Sequence, residues 1–337
     1  MQKRTLEIIE KIGAKFTPIN QSKDPEEWKR LRTTGIGGSD AGAILGLNKY
    51  SSPLTVYFQK KEVKGFEGNL ATEWGQILED PIRKKTESEL NIKIHKIEGM
   101  FTSNVFTFAN ANLDGIVEVK KELEIDNVRV SGIGGHEIKT SGRGDGFAED
   151  EIPDSYYCQV QHYMAVTNLE WFLLTVFFLD KKKAKHYIVK KNQDFIDTLI
   201  EKEREFWFHN VLPEIIPAPL GIAAEDDYIK NLPISEVVEL NDNVNSLIKQ
   251  QQEVNNKIKE LEKENQALKN SILIELSKGS ENQNAENTTA TTSNFIITYN
   301  TQSKKSVDTE KLKAENLYEK YTKTSSYKVL RIKEKKA

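Results

Sequence analysis

Two stretches decide the fold: His136-Glu137-Ile138-Lys139-Thr140 and, upstream of it, Leu113-Asp114-Gly115. Residues 135–140 read as a short strand, and 115–120 is strand-like as well. Side chains alternate along a strand, so Glu137 and Lys139 share one face while His136 and Ile138 take the other. Asp114 stands before Gly115 at a strand edge or turn. If the two strands pair, Asp114 and Glu137 converge on one hard cation. Mg²⁺ needs few protein carboxylates and keeps several waters that face a substrate phosphate. A lysine beside it can orient or deprotonate an attacking water and stabilise charge developing on phosphorus. Each piece alone is common: Asp-Gly is usually only a turn, and Glu-x-Lys usually a solvated strand face. The specificity lies in what surrounds them.

Working outward, Asp24 as N-cap with Pro25 at the first helical position starts a helix. Gly35, Gly37 and Gly38 lead into Ser39-Asp40, which opens a second helix over 41–45. A glycine turn entering a helix exposes backbone N–H groups to an anion, and Arg32 offers a fork for phosphate oxygens. The plain alternative is a turn that merely caps the helix through Ser39. The string GIGGSD has the spacing of neither a P-loop nor a dinucleotide fingerprint. A long helix is expected over 72–90 with Trp74, Leu78 and Ile82 on one face, a strand over 101–109 and a helix over 156–166. Residues 169–179 are apolar on both strand faces, which predicts a central, buried strand. By themselves Glu79 and Gln159 read as exposed polar positions on their helices, and His136 as opposite-face packing with a polar tip.

The 337 residues are 37% hydrophobic and 29% charged, the composition of a globular protein. A single cysteine, Cys158, excludes an internal disulfide and a multi-cysteine zinc cluster, and the five histidines show no H-x-x-x-H spacing. No apolar segment has signal-peptide or membrane-spanning length, so the expected compartment is the cytoplasm. A net charge of −3 requires any nucleic acid to be met by a local basic patch. Lys181, Lys182 and Lys183, with Lys185, Lys190 and Lys191, make one such stretch, better read as a solvated turn than as a DNA contact. Over 301–337, eleven basic residues face five acidic ones, a surplus of +6 interleaved with Tyr318, Tyr321 and Tyr327. That balance suits phosphate binding, and equally a solubilising tail with its tyrosines in a small core. The chain divides into 1–220, a long helix over 236–276, a polar linker over 280–294 and a small basic α/β tail over 295–337, with strands at 295–299 and 326–332 around a helix at 308–321. In the long helix, apolar residues at Val244, Leu247, Val254, Ile258, Leu261, Leu268 and Ile272 alternate three- and four-residue steps, with Gln251 and Asn265 in two seam positions. Such a helix pairs with another copy, folds back on its own domain or meets a partner protein.

Residues 28–180 resemble the YqaJ-type viral recombinase family, which is similar to the phage lambda exonuclease within the PD-(D/E)xK nuclease superfamily. The resemblance rests on six segments in order: RTTGIGGSDAGA (32–43), SPL (52–54), GQILEDP (75–81), ANLDGI (111–116), HEIKT (136–140) and IPDSYYCQVQHYMAVT (152–167). The stretch 308–332 also resembles the end of phage YqaJ-like proteins. The resemblance implies a restriction-endonuclease-like α/β (α+β) core, a mixed central sheet flanked by helices. It implies Asp114, Glu137 and the Ile138 backbone carbonyl as metal ligands, with Glu79 on the metal or its waters. Lys139 becomes the catalytic lysine, Gln159 lies at the edge of the site, and Arg32, Gly38 and Ser39 bind a terminal 5′-phosphate. The implied cofactor is Mg²⁺, with Mn²⁺ as a substitute. The implied activity is degradation of linear double-stranded DNA from the 5′ end to leave 3′ single strands. The partners that follow are double-stranded DNA, a single-strand annealing protein of the same phage and further copies of the chain in a homo-oligomer, in a host cytoplasm and with no membrane. Two departures stand out: Leu113 where the family commonly has proline, and His136 where an aliphatic residue is more usual. The alternatives are an endonuclease of the same superfamily, or a non-catalytic DNA-binding or scaffold protein.

Overall fold

The computed structural model describes residues 3–63, 65, 68–142, 151–233, 238–278, 287–324, 330 and 332. The chain divides into two compact units, Met1–Pro233 and Ile234–Ala337. The first contains α1 (Lys3–Ile9), β1 (Ala14–Pro18), α2 (Pro25–Thr33), β2 (Ile36–Gly37), α3 (Gly38–Ile44), α4 (Pro53–Lys60), α5 (Leu70–Leu90), β3 (Lys93–His95), β4 (Gly99–Ser103), β5 (Ala109–Ala111), β6 (Gly115–Ile125), β7 (Val128–Ser141), α6 (Asp154–Thr167), β8 (Trp171–Phe178), β9 (Lys183–Lys190), α7 (Gln193–Phe206) and α8 (Ala223–Ile229).

Among the described residues these strands form two mixed sheets, flanked by helices as the expected α/β class requires. One has the order β3-β6-β7-β8-β9, the other β1-β4-β5-β2. In the larger sheet β7 and β8 run parallel and the remaining neighbours antiparallel. The long β6–β7 hairpin turns at Asp126 and Asn127, both at positive φ, the conformation that lets a two-residue loop follow strand twist. As its two-sided hydrophobicity predicts, β8 is internal to the sheet, and Phe172, Leu173 and Leu174 are fully buried. The main core gathers Ile36, Phe101, Ile116, Met164 and Phe172 from both sheets and α6.

Several element boundaries differ from the sequence reading. The expected strand 101–109 breaks into β4 and β5, because the Ser103 hydroxyl accepts the N–H groups of Val105 and Phe106 and turns the chain. The second helix starts at Gly38, not Ala41, and Ser39 is not its cap: the Asp40 carboxylate reaches back to the Gly37 N–H at 2.9 Å. Along the α5 face that carries Trp74, Leu78 and Ile82, Trp74 is 52% exposed, and the buried residues of the helix are Ile82 and Thr86. The first unit continues past Pro213, Pro217 and Pro219: the Tyr228 ring on α8 stacks on Phe58 at 5.8 Å, and Glu225 accepts the Ser52 hydroxyl at 2.6 Å.

The second unit holds α9 (Asn243–Lys278), β10 (Asn287–Thr291), β11 (Ile296–Asn300), α10 (Thr309–Ala314) and α11 (Tyr318–Tyr321). The expected polar linker therefore contains a strand, with β10 paired antiparallel to β11 through β-branched threonines. The helix expected over 308–321 is two short pieces, interrupted at Asn316, which has positive φ. Neither piece buries a residue, so the described tyrosines form no small core. Of the strand expected over 326–332, all but 330 and 332 lies outside the described residues. Among the described residues no helix is long and apolar enough to cross a membrane.

Candidate active site

The antiparallel register pairs Gly115 with His136, so one step along the ladder sets Asp114 opposite Glu137. The Asp114 Oδ2 accepts the backbone N–H of Ile138 at 2.7 Å, which fixes the carboxylate at the sheet edge. Leu113, at the departure from the family pattern, is fully buried. Glu137 is buried as well. Its Oε1 receives Lys139 Nζ at 2.7 Å and Gln159 Nε2, from α6, at 2.7 Å. Its Oε2 is buried with no hydrogen-bond partner. Glu79 projects from α5 into the same cleft, whose volume is about 190 Å³ and whose walls include Asp114, Glu137, Gln159, Arg32, Gly38 and Ser39.

The electrostatics of this cleft are those of crowded negative charge. Burial pushes the Asp114 carboxyl well above its ordinary value, and Glu137 and Glu79 push it further. Burial also raises Glu137, against the pull of Lys139 and Gln159. Glu79 rises for the same first reason, with Glu137 adding to it. Burial by itself would lower Lys139, but its pairing with Glu137 leaves it raised and charged. Lys139 also stands over the Tyr156 ring at 5.0 Å.

A divalent cation fits this donor set. The partnerless Glu137 Oε2 faces like charges that a cation would neutralise, and hard oxygen donors suit Mg²⁺. Among the described residues no three Asp, Glu, His or Cys side chains stand close enough to hold one ion together. Asp114 and Glu137 are the side chains that would hold an ion there, with the Ile138 carbonyl and a water-bridged Glu79 as the further donors that the resemblance implies.

On the other wall, Arg32 Nη2 donates to Ser39 Oγ at 3.2 Å, and both residues are exposed. Helix α3 has only seven residues, and the permanently charged Arg32 guanidinium stands at its first turn, with Lys60 lining the same cleft. Gly38 is glycine for a packing reason: a Cβ at that position would run into the Tyr163 ring. The Tyr163 hydroxyl accepts from Gln159 Nε2 at 2.8 Å, which connects the Arg32 wall to Glu137 through one amide. His136 packs on the opposite sheet face, as expected. Its Nε2 meets Thr175 Oγ1 at 3.0 Å, and burial lowers its pKa to about 3, so it is neutral. Cys158 is buried and its thiol is pushed up to about 12 by that burial, which removes it as a nucleophile.

Sequence reading missed three residues of this cleft. Lys60 ends α4 and is buried against Asp40, Tyr163 supports the Gly38 turn, and Asn110 is held by His162, whose Nε2 meets the Asn110 carbonyl at 2.9 Å. The only signal in the sequence was the spacing of Gln159 and Tyr163, one helical turn apart.

Residues 27–170 match the YqaJ-like viral recombinase domain. The protein YqaJ of Bacillus subtilis (strain 168), described as uncharacterized, is 29% identical over 216 residues, which cover 63% of this chain and 64% of that protein's length. Among solved structures, LHK-Exo in complex with dAMP is similar at 17% identity and a TM-score of 0.45, over 56% of this chain and 94% of that one. A phage related exonuclease from Haemophilus somnus 129PT is similar at 14% identity and a TM-score of 0.37, over 54% of this chain and 97% of that one. The span similar to the YqaJ-like viral recombinase domain contains Arg32, Glu79, Asp114, Glu137, Lys139 and Gln159.

Proposed function

We propose that the chain is a metal-dependent DNA exonuclease of phage recombination type, acting on linear double-stranded DNA from the 5′ end and leaving 3′ single strands. One observation carries the reading: Glu137 Oε2 is buried without a partner where Asp114 and Glu79 face the same cleft. In this reading Asp114, Glu137 and the Ile138 carbonyl hold Mg²⁺, or Mn²⁺ in its place, and Glu79 orients its waters. When bound, the ion supplies a Lewis acid and a lowered pKa for the attacking water. Lys139, charged and 2.7 Å from Glu137, would orient the attacking water and offset negative charge developing on the phosphate. Gln159 steadies Glu137 from α6. Arg32, with Gly38 and Ser39, receives the terminal 5′-phosphate. The 3′ single strand is the substrate for a single-strand annealing protein of the same phage, and the setting is the host cytoplasm.

The test is digestion of linear against covalently closed circular duplex with Mg²⁺. Loss of linear DNA with circles intact supports the reading. Cutting of circles favours the endonuclease alternative, and no cutting with Mg²⁺ or Mn²⁺ favours a non-catalytic DNA-binding protein.

A further inference from the structure

The helix α9 runs 36 residues, about 54 Å at 1.5 Å per residue, and buries none of them. Its apolar residues Leu247, Val254, Ile258, Leu261, Leu268 and Ile272 are each about half exposed or more. Within its own unit the other described helices have six and four residues, too short to cover a seam of this length. The seam is regular. With Val244 as the first a position, the a residues are Val244, Gln251, Ile258, Asn265 and Ile272, and the d residues Leu247, Val254, Leu261, Leu268 and Glu275. Val or Ile fills three of the five a positions and Leu three of the five d positions, a combination that favours two parallel strands, with Glu275 ending the seam.

The flanking charges choose the occupant. In a parallel pair, each g residue faces the e residue five positions later on the partner helix. Lys257 (g) then faces Glu262 (e), and Glu264 (g) faces Lys269 (e). Counted on both helices, all four charged contacts are attractive. Asn265 also meets its own copy, amide against amide. In the antiparallel arrangement Asn265 would lie against Val254, an apolar layer that leaves its amide unmatched, and only the Lys257–Glu264 contacts would remain.

We propose that α9 pairs with α9 of a second copy of this chain as a parallel two-stranded coiled coil, in register at Asn265. The proposal is independent of the nuclease reading, since neither the seam nor the flanking charges belong to the cleft.

The experiment uses the full chain. Sedimentation equilibrium should give a dimer, and Leu261→Asp should return it to monomer while the thermal unfolding of the first unit is unchanged. The double change Lys257→Glu with Glu264→Lys turns all four parallel contacts repulsive but keeps the antiparallel ones attractive. It should weaken dimerisation by on the order of tenfold to a hundredfold. Leu247→Cys should give a disulfide-linked dimer on mild oxidation, because only the parallel register places the two copies of position 247 together. A monomeric wild type, or a dimer that survives Leu261→Asp, overturns the proposal. A dimer indifferent to the double change and unable to cross-link at 247 overturns the parallel arrangement.

Discussion

Lys60 Nζ lies 2.6 Å from Asp40 Oδ2 and 2.8 Å from the Arg32 carbonyl oxygen, and both charged side chains are only 4% exposed. Asp40 in turn holds the Gly37 N–H. One buried ion pair thus joins the end of α4, the end of α2 and the turn before Ser39. Burial pulls Lys60 below its ordinary range, while Lys60 and Arg32 hold the Asp40 carboxylate ionised against its own burial. Removing one partner strands a buried charge, which typically costs 3–5 kcal/mol. Lys60→Met should therefore destabilise the protein by about 3–5 kcal/mol. Adding Asp40→Asn should recover a substantial part of that loss, although Asp40→Asn alone is harmful. Urea midpoints for the three variants measure the coupling. Additive losses would show that the two side chains do not act as a pair.

The metal prediction follows from the raised carboxyls. A carboxyl whose folded pKa is raised contributes stability below its unfolded value, ordinarily 3.8 for aspartate, and loses it as pH rises through the folded value. At neutral pH without metal, Asp114 therefore strains the fold. Asp114→Asn should raise the metal-free Tm near neutral pH, with a gain that shrinks as pH falls toward 4. Mg²⁺ should raise the wild-type Tm but not that of the variant, and both Asp114→Ala and Glu137→Ala should abolish Mg²⁺-dependent cleavage. Protons compete with the ion for the same oxygens, so the Mg²⁺ concentration for half-maximal cleavage should climb as pH is lowered. A Tm for Asp114→Asn below wild type at neutral pH would contradict the crowding of charge argued for the cleft.

Lys139 separates chemistry from metal binding. Lys139→Ala leaves Asp114, Glu137 and the Ile138 carbonyl in place, so Mg²⁺ binding by calorimetry and DNA binding should be largely retained. The single-turnover cleavage rate should drop by about 10²–10⁴, the range for a positioned acid–base or charge-stabilising group. A variant that no longer binds the ion would assign Lys139 to maintaining the carboxylate geometry instead.

Why some of this site was legible in sequence and some was not is a question of distance. Asp114, Glu137 and Lys139 follow from strand alternation and one hairpin register, both local rules, and the structure sets Asp114 across from Glu137 as those rules require. The buried Asp40–Lys60 pair is 20 residues apart and the His162–Glu203 pair 41, and each looks like an ordinary surface charge until tertiary packing removes the water. Gly38 read as a turn residue, and its packing against Tyr163 across 125 positions of chain has no local trace. The strand β10 is the reverse case. Its Thr288, Thr289 and Thr291 carried a β signal, outweighed in the reading by the surrounding Asn and Glu.

The last prediction concerns which end of DNA the cleft accepts. Arg32 is exposed, bonded to Ser39 at 3.2 Å, and among the described residues its guanidinium pairs with no carboxylate. A guanidinium is a permanently charged fork shaped for phosphate oxygens. A terminal 5′-phosphate carries more charge than an internal phosphodiester and leaves more oxygens free to be held in two-point contact. The loss of Arg32 should therefore matter most where that phosphate exists. On two otherwise identical linear duplexes, wild type should digest the 5′-phosphorylated end faster than the 5′-hydroxyl end. Arg32→Ala should slow the first by on the order of ten- to a hundredfold, as loss of a charge-assisted contact of about 1.5–3 kcal/mol requires. It should barely change the second, so the two substrates converge in the variant. Ser39→Ala, which removes a neutral hydroxyl that both partners Arg32 and faces the phosphate, should fall between wild type and Arg32→Ala. Equal initial rates on both ends for wild type would remove Arg32 from end recognition and shift the balance toward an enzyme that cuts internal phosphodiesters.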